Sequence, residues 1–176
     1  MASPLSRDPY KTFRFKVFLS DDESFDITKP VAGVSTVGSI KHTTDVIQYR
    51  AGTDTLAMKV TPGQTNFQSF TLERGLTADT TFHAWAKKLD PNDTASGEYE
   101  TDFRKNVKIM LCDENGNEGA SFTLLNCWVS EYKAMPDLDS GDNAIAIESL
   151  TVEFEGWHQS DWATNEGDPA KNMVRG

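Results

Sequence analysis

The chain predicts a mainly β protein, an antiparallel barrel or sandwich of about seven or eight strands with one flanking α-helix. Three observations carry this expectation. Val107, Ile109 and Leu111 alternate into the turn Asp113-Glu114-Asn115-Gly116-Asn117, and Phe122-Thr123-Leu124-Leu125-Asn126-Cys127-Trp128 leads away from it. Alternation on both sides of Asn-Gly is the strongest short-range signal for a β-hairpin. Other short apolar segments follow one another at turn-sized spacing, and only one stretch has the helical period.

Phe13, Phe15, Val17 and Leu19 alternate with Thr12, Arg14, Lys16 and Phe18, which predicts a first strand with one buried face, ended by the acidic run Asp21-Asp22-Glu23-Ser24. Gly33 to Ile40 is small and β-branched. Asp45 to Arg50, with Val46, Ile47 and Tyr49, reads as a second extended segment, punctuated by Ala51-Gly52-Thr53-Asp54. A strand-like return from Leu56 to Thr61 precedes Pro62-Gly63, and Phe67, Phe70 and Leu72 mark another strand that Gly75 terminates.

The helix is placed by Phe82, Trp85, Ala86 and Leu89 at i, i+3, i+4 and i+7. Thr77 or Asp79 serves as cap, Lys87 and Lys88 sit near the C-terminus, and Pro91 lies just beyond. Residues 90 to 102 form a polar loop. After the hairpin comes a second polar loop, Pro136-Asp137-Leu138-Asp139-Ser140-Gly141-Asp142-Asn143, and then a long strand from Ala144 to Gly156. Its apolar phase changes between Ile147 and Leu150, which predicts a bulge or a pair buried on both faces.

At 176 residues the chain suits one domain, and its 38% hydrophobic and 25% charged residues are ordinary for a soluble globular protein. No apolar run reaches the roughly 20 residues that span a bilayer, and the start of the chain has no secretory pattern. A formal net charge of −10, from 27 acidic and 17 basic residues, repels phosphate backbones, and the Lys and Arg residues are not segregated into a patch. Specific nucleic-acid binding is therefore not expected.

Cys112 lies opposite a residue near Gly119 if the hairpin turns at Asn115, whereas Cys127 stands about eight residues further along. At ~3.3 Å per residue that separation is roughly 26 Å, far beyond the ~7 Å Cα limit for a disulfide. Two free thiols are expected, as suits a reducing compartment.

Motifs for catalysis and metal binding are lacking. His42, His83 and His158 fall in separate elements with no partner at metal-ligand spacing, and no nucleophile elbow, phosphate loop or dinucleotide fingerprint occurs. Asp137, Asp139 and Glu148 take positions 1, 3 and 12 of an EF-hand loop, but Gly141 and Asp142 at positions 5 and 6 break the pattern, which leaves a solvated turn-rich loop. Asn92-Asp93-Thr94 is a chance glycosylation sequon. Glu73-Arg74-Gly75 reads as an exposed charge pair closing a strand rather than an acid with an arginine clamp. No catalytic, cofactor-binding or metal-binding residue is assigned.

From Asp8 to about Gly156 the order of landmarks resembles the phage tail-tube family and the related hemolysin-coregulated tube proteins of type VI secretion. The landmarks are Asp8-Pro9-Tyr10-Lys11-Thr12-Phe13-Arg14-Phe15, Asp45-Val46-Ile47-Gln48-Tyr49-Arg50-Ala51-Gly52, Thr61-Pro62-Gly63-Gln64, Leu72-Glu73-Arg74-Gly75, Phe82 to Trp85, and the late hairpin. The resemblance implies a β-barrel with a side helix, six copies to a ring, and rings stacked into a hollow tube inside a contractile sheath. It implies one domain over 1–176, with a core at about 8–157, an extended arm at about 48–64 that reaches neighbouring subunits, and an extension at 158–176. On this basis Gln48, Tyr49, Arg50, Gly52, Met58, Pro62, Gly63, Gln64, Arg74, Asp137 and Asp139 are the expected subunit-interface residues. The implied partners are further copies of the chain, a sheath protein, baseplate or spike and tube-terminating proteins, and cargo in the lumen; no cofactor and no membrane insertion are implied. Assembly would take place in a bacterial or archaeal cytoplasm, with release in a phage tail or injection particle. Gln68, Thr71, Glu73, Thr151 and Glu153, on strand faces opposite the core, are candidates for a polar lumen.

The chain departs from the family in two places. Thr53-Asp54-Thr55-Leu56-Ala57-Met58 stands where the family often has a glycine-rich, charged stretch, and the tail with Trp162 and Met173 runs past the last family strand. A soluble ligand-binding barrel with a closed apolar pocket is the alternative. A hydrolase using scattered carboxylates such as Glu148 and Glu153, which strand period places on opposite faces, comes third.

Overall fold

The computed structural model describes residues 11–31, 33–50, 58–90, 101–112, 118–136 and 145–160. The described elements are β1 (Phe15–Ser20), β2 (Val34–Val37), β3 (Lys41–Tyr49), β4 (Lys59–Gln68), β5 (Phe70–Gly75), α1 (Thr81–Lys87), β6 (Lys105–Cys112), β7 (Glu118–Lys133), β8 (Ile147–Glu153) and β9 (Gly156–Ser160). All the strand pairs are antiparallel.

The architecture is a sandwich made by one bent strand. The first half of β7 pairs with β6 and β9, and its second half pairs with β8. The sheet order β1-β6-β7-β8-β5-β2 therefore folds over at β7, and the two layers face each other across the core. The corner is Asn126, whose φ of 53° puts it in the left-handed region that asparagine tolerates better than most residues. Its backbone N–H donates to Asn106 Oδ1 at 3.0 Å, and its side-chain amide donates to Glu155 Oε2 at 2.9 Å. Arg104 pairs with the other oxygen of Glu155, and these contacts, Arg104 first and Asn126 second, hold that carboxyl below its ordinary pKa.

The same corner breaks the last strand. The sequence pattern predicts one strand through Gly156, but the chain kinks at Phe154 and Glu155, where it must follow β7 around the bend, and resumes as β9. The expected phase change in β8 is absent as well. Glu148, Leu150, Val152 and Phe154 all point inward while Ile147 is 42% exposed, so an acidic residue takes the core position that Ile147 had been expected to share. Two further expectations change for simple reasons. Phe13 is exposed because β1 begins only at Phe15, and Phe18 is buried because a second small cluster, with Met110, Cys112 and Phe25, covers the other face of β1.

The main core joins Val17, Val107, Ile109 and Leu124 of one layer to Phe70, Leu72, Leu150 and Val152 of the other, closed by Phe82 and Trp85 from α1. Seven residues are too few for a helix to persist alone, so α1 is held by this apolar pair and by its ends. Trp85 Nε1 donates to the carbonyl of Phe103 at 2.9 Å. Asp79 accepts from Thr81 N at 2.8 Å and from Thr81 Oγ1 at 2.5 Å. Cys112 and Cys127 are buried free thiols, opposite Glu118 and Lys105 respectively, and burial pushes Cys127 up to about 12.

The N-cap is Thr80 rather than the expected Thr77 or Asp79, and its side chain makes no capping bond. Asp79, one residue earlier, accepts the Thr81 bonds instead and carries a pH prediction. The hydrogen bonds from Thr81, assisted by the Arg74 charge, lower its folded pKa below the ordinary 3.8. Stability from a lowered carboxyl is fully present above the unfolded value and disappears as pH falls through the folded one. Asp79→Ala is expected to cost about 0.5–2 kcal/mol at pH 7. That cost should shrink below about pH 4, as followed by urea denaturation at several pH values.

Candidate assembly surface

Beyond the sandwich, β3 and β4 form a two-stranded sheet of their own. This hairpin, the arm, contains the described part of the segment expected at about 48–64, and its strands are longer than the sequence pattern indicates. β3 begins at Lys41 rather than Asp45, because the polar segment Lys41-His42-Thr43-Thr44 pairs with Thr65 to Gln68. β4 runs through Pro62-Gly63 instead of ending before them. Asp45 alone faces Gly63 and Gln64, a bulge that absorbs the irregularity. A Cβ at Gly63 would stand 3.2 Å from both Cβ and O of Asp45, so the bulge favours glycine there. Thr44 and Thr65 hydroxyls meet across the ladder at 2.9 Å, and Gln68 Nε2 donates to Thr43 Oγ1 at 3.2 Å.

The arm is anchored at its root and bare at its far end. Phe67 packs on Phe154 with ring centroids 5.4 Å apart, and His42 lies 6.0 Å from Trp157. Just before β3, Gly38 N donates to Thr71 O at 2.7 Å. A Cβ there would stand 2.8 Å from Thr71 N, a backbone atom that cannot yield cheaply. Gly38→Ala is expected to destabilise the fold by about 1–3 kcal/mol, seen as a lower melting temperature.

Farther out, Val46 is 66% exposed, Val60 65% and Met58 62%, with Ile47 and Tyr49 also about half exposed. The register pairs Val46 with Pro62 and Gln48 with Val60, so Val46, Val60 and Pro62 share one face. Phe67 and His42 share that face by the same parity. Beyond the Thr44–Thr65 hydroxyl pair, the face that packs on the body at the root carries the exposed Val46, Pro62 and Val60, with Gln48 beside them. A hairpin isolated on its own is marginal in water, and this one exposes its apolar side chains as well.

Of the expected interface residues, Gln48, Tyr49, Arg50, Met58, Pro62, Gly63 and Gln64 lie together on this hairpin or at its ends. Gly52, Asp137 and Asp139 lie outside the described residues, as do the Asn-Gly turn, the sequon and residues 161–176. Val46 and Val60, exposed apolar residues of that face, were missing from the set. Their signal was visible in the adjacent apolar pair Val46-Ile47, which puts bulk on both faces of a strand.

Arg74 is elsewhere. The reading of Glu73-Arg74 as an exposed pair is wrong, since Arg74 is fully buried, enclosed by its own chain. Its Nε donates to Glu148 Oε1 at 2.5 Å and its Nη2 to the carbonyl of Asp79 at 2.5 Å. Nη1 lies 3.1 Å from Asp79 Oδ2, a charge contact without good hydrogen-bond geometry. Tyr132 donates to Glu148 Oε2 at 2.9 Å, and the guanidinium sits 4.2 Å above the Phe82 ring. Burial, reinforced by Glu148, pushes Tyr132 up to about 12. This network ties β5, β7 and β8 to the start of α1.

Two other surfaces matter. The outer face of the β7-β8-β5 layer is mostly polar, with Thr71, Thr151 and Glu131 in one cross-strand row and Glu73, Ser149 and Lys133 in the next, while Trp128 opposite Glu153 and the exposed Ile147 add apolar side chains at its two ends. At the opposite edge of the sandwich, β1 and β2 end their sheets, and between the layers there a cleft of about 430 Å³ opens. Phe15, Val37, Ile40, Ile109, Leu111 and Phe122 line it, with Thr12, Ser35 and Thr36 at its polar positions. Among the described residues, no cluster of His, Cys, Asp or Glu could hold a metal ion, and no helix is long and apolar enough to cross a membrane.

The family model described as T4-like virus tail tube protein gp19 matches residues 11–158. No curated protein matches the chain in sequence. Among solved structures, a chain of the anti-feeding prophage (AFP) baseplate, 6-fold symmetrised, superposes with a TM-score of 0.70 at 21% identity, covering 88% of this chain and 97% of that one. A chain of the PVC sheath-tube complex, an extracellular contractile injection system in the extended state, gives 0.70 at 20% identity over 89% and 94%. The SPP1 tail tube gives 0.53 at 10% identity over 94% and 84%. At these identities the structural likenesses establish a shared fold.

Proposed function

The chain belongs to the T4-like tail tube family and is a structural tube protein, and from that premise we propose that six copies close a ring and rings stack into the inner conduit of a contractile machine. The observation that carries this reading is the arm, a hairpin anchored at its root and apolar where none of the described residues covers it. Assembly supplies the missing cover. Head-to-tail use of such an arm repeats each contact around the ring. If each of six contacts contributes ~1.4 kcal/mol, a ring gains ~8 kcal/mol before entropic costs, a bias on the order of a million-fold towards stacking.

The polar outer face of the β7-β8-β5 layer is the lumen lining in this reading. Among its described residues Glu73, Glu131 and Glu153 outnumber Lys133, so it is wet and net acidic and repels anionic cargo, with Trp128 and Ile147 as its apolar exceptions. The partners are a sheath, a baseplate and a terminating cap, since the structurally similar chains come from assemblies described by those parts. The tube forms inside the cell that makes it and leaves as part of a phage tail or extracellular particle. It performs no catalysis; Glu148, the one buried carboxylate among the described residues, is committed to Arg74 and Tyr132.

Sedimentation velocity over a range of concentrations, with negative-stain microscopy of the same samples, tests the proposal. Rings and hollow rods are expected. Monomer at every concentration, with no rods, would refute it.

A further inference from the structure

The cleft at the β1–β2 edge has a neighbour that the sandwich leaves open, the end of β9. Ser160 pairs with Ser121, Ser121 with Met110 and Met110 with Lys16, so β9 leaves off in one cross-strand row of its sheet. On one side of that row stand Ile109 and Phe122, on the other Phe15 and Leu111, and these side chains form the sheet wall of the cleft. β9 runs antiparallel to β7, which points the chain beyond Ser160 toward the row of Leu111 and Phe15. From β9 across β7 and β6 to β1 is three strand spacings, about 14 Å at ~4.8 Å each. Residues 161–176 start at that point, outside the described residues and past the match to the family model. A segment of that length reaches roughly 50 Å when extended, at ~3.3 Å per residue.

We infer that the cleft is filled by the chain's own C-terminal segment, with the Trp162 indole as its anchor. Four features support this occupant. Trp162 is the one aromatic residue of the segment and comes two residues after Ser160, within ~7 Å of the row between the two cleft walls. Charge is complementary, since Asp161, Glu166 and Asp168 occur among residues 161–168 with no Lys or Arg, whereas Lys11 and Arg14 flank the Thr12 and Phe15 lining. Among the described residues β2 pairs with β5 alone, so its outer edge can take up an extended segment by backbone pairing. Finally, a segment tethered beside the cleft meets it at an effective concentration on the order of millimolar, where even a weak contact is filled. Residues 1–10 also adjoin the cleft through Thr12, but Arg7 offsets Asp8 there, and Pro4 and Pro9 have no N–H for edge pairing. The contact forms within a single chain and is independent of ring assembly.

Thiol labelling of the full chain tests it. Both native cysteines are buried, so Thr36→Cys, exposed at the cleft, supplies the reactive thiol. Adding Trp162→Ala should raise its rate of alkylation by iodoacetamide about tenfold, equivalent to ~1.4 kcal/mol of lost cover. Adding Leu5→Ala instead should leave the rate unchanged. In a second measurement, Thr36→Cys with Ala163→Cys should form a disulfide within the chain on mild oxidation, seen as a faster monomer band on a non-reducing gel.

A labelling rate indifferent to Trp162→Ala would overturn the inference. A rise with Leu5→Ala and none with Trp162→Ala would overturn it in favour of residues 1–10. A disulfide found only between chains would do so as well, by placing the segment of a second copy in the cleft. Urea unfolding of each variant accompanies the labelling, and where Trp162→Ala loses its cooperative transition the disulfide pair, which keeps Trp162, decides alone. Failure of the protein to form rods would remove the tube reading and leave this contact standing.

Discussion

Replacing Arg74 by alanine is expected to destabilise the fold by about 3–5 kcal/mol, the largest effect of any single substitution considered for this chain. The guanidinium is fully buried and bonded to Glu148 and the Asp79 carbonyl. Its removal leaves the Glu148 carboxylate buried beside Tyr132 with no counter-charge, and it uncovers the Phe82 ring on which the guanidinium lies. Set against a typical total of about 5–15 kcal/mol, that loss can leave little folded protein at 37 °C. Equilibrium unfolding in urea measures it. The double variant Arg74→Met with Glu148→Leu should recover most of the loss, because it removes both charges and keeps apolar volume in the core. A single variant within 1 kcal/mol of the parent would show that the network is not the link between α1 and the sheets.

Shortening the arm is expected to do the reverse, leaving the monomer intact and abolishing tube growth. Val46 and Pro62 face each other across the ladder, so residues 47–61 can be replaced by an Asn-Gly turn that closes the hairpin between them. The shortened chain keeps Phe67 and His42, whose ring contacts with Phe154 and Trp157 fix the root. It loses Ile47, Tyr49, Met58 and Val60, all of them exposed. Its melting temperature should stay within a few degrees of the parent while rods vanish from micrographs at concentrations where the parent assembles fully. Rods of normal length from the shortened chain would exclude the arm as an assembly element.

Most of the fold was legible in local pattern. The hairpin of β6 and β7, the stripe Phe82 and Trp85 of α1, and the strand at Phe70 and Leu72 each stand where alternation or helical spacing places them, because one face of each packs on the core. Errors arose where a side chain's environment came from a segment distant in sequence. Pro62-Gly63 looks like a strand end, yet β4 absorbs the extra residue in a bulge at Gly63 and Gln64, opposite Asp45 of β3, and the ladder continues. His42 to Thr44 looks like loop, yet pairing with Thr65 to Phe67 makes it strand.

Arg74 and Glu148 show the division best. Each alone is a charged residue in a strand, and the default for such a residue is the surface. Only the pairing of β5 with β8, which sets Arg74 directly opposite Glu148, makes burial of both affordable. By itself the sequence determined the strand-rich class, the single described helix and the family, because these depend on spacing within short windows and on the order of landmarks. The tertiary structure alone decided which charges lie inside, where β7 bends between layers, and which apolar residues remain uncovered on the arm. Those are properties of contacts between residues as far as 20 to 74 positions apart, and no local period encodes them.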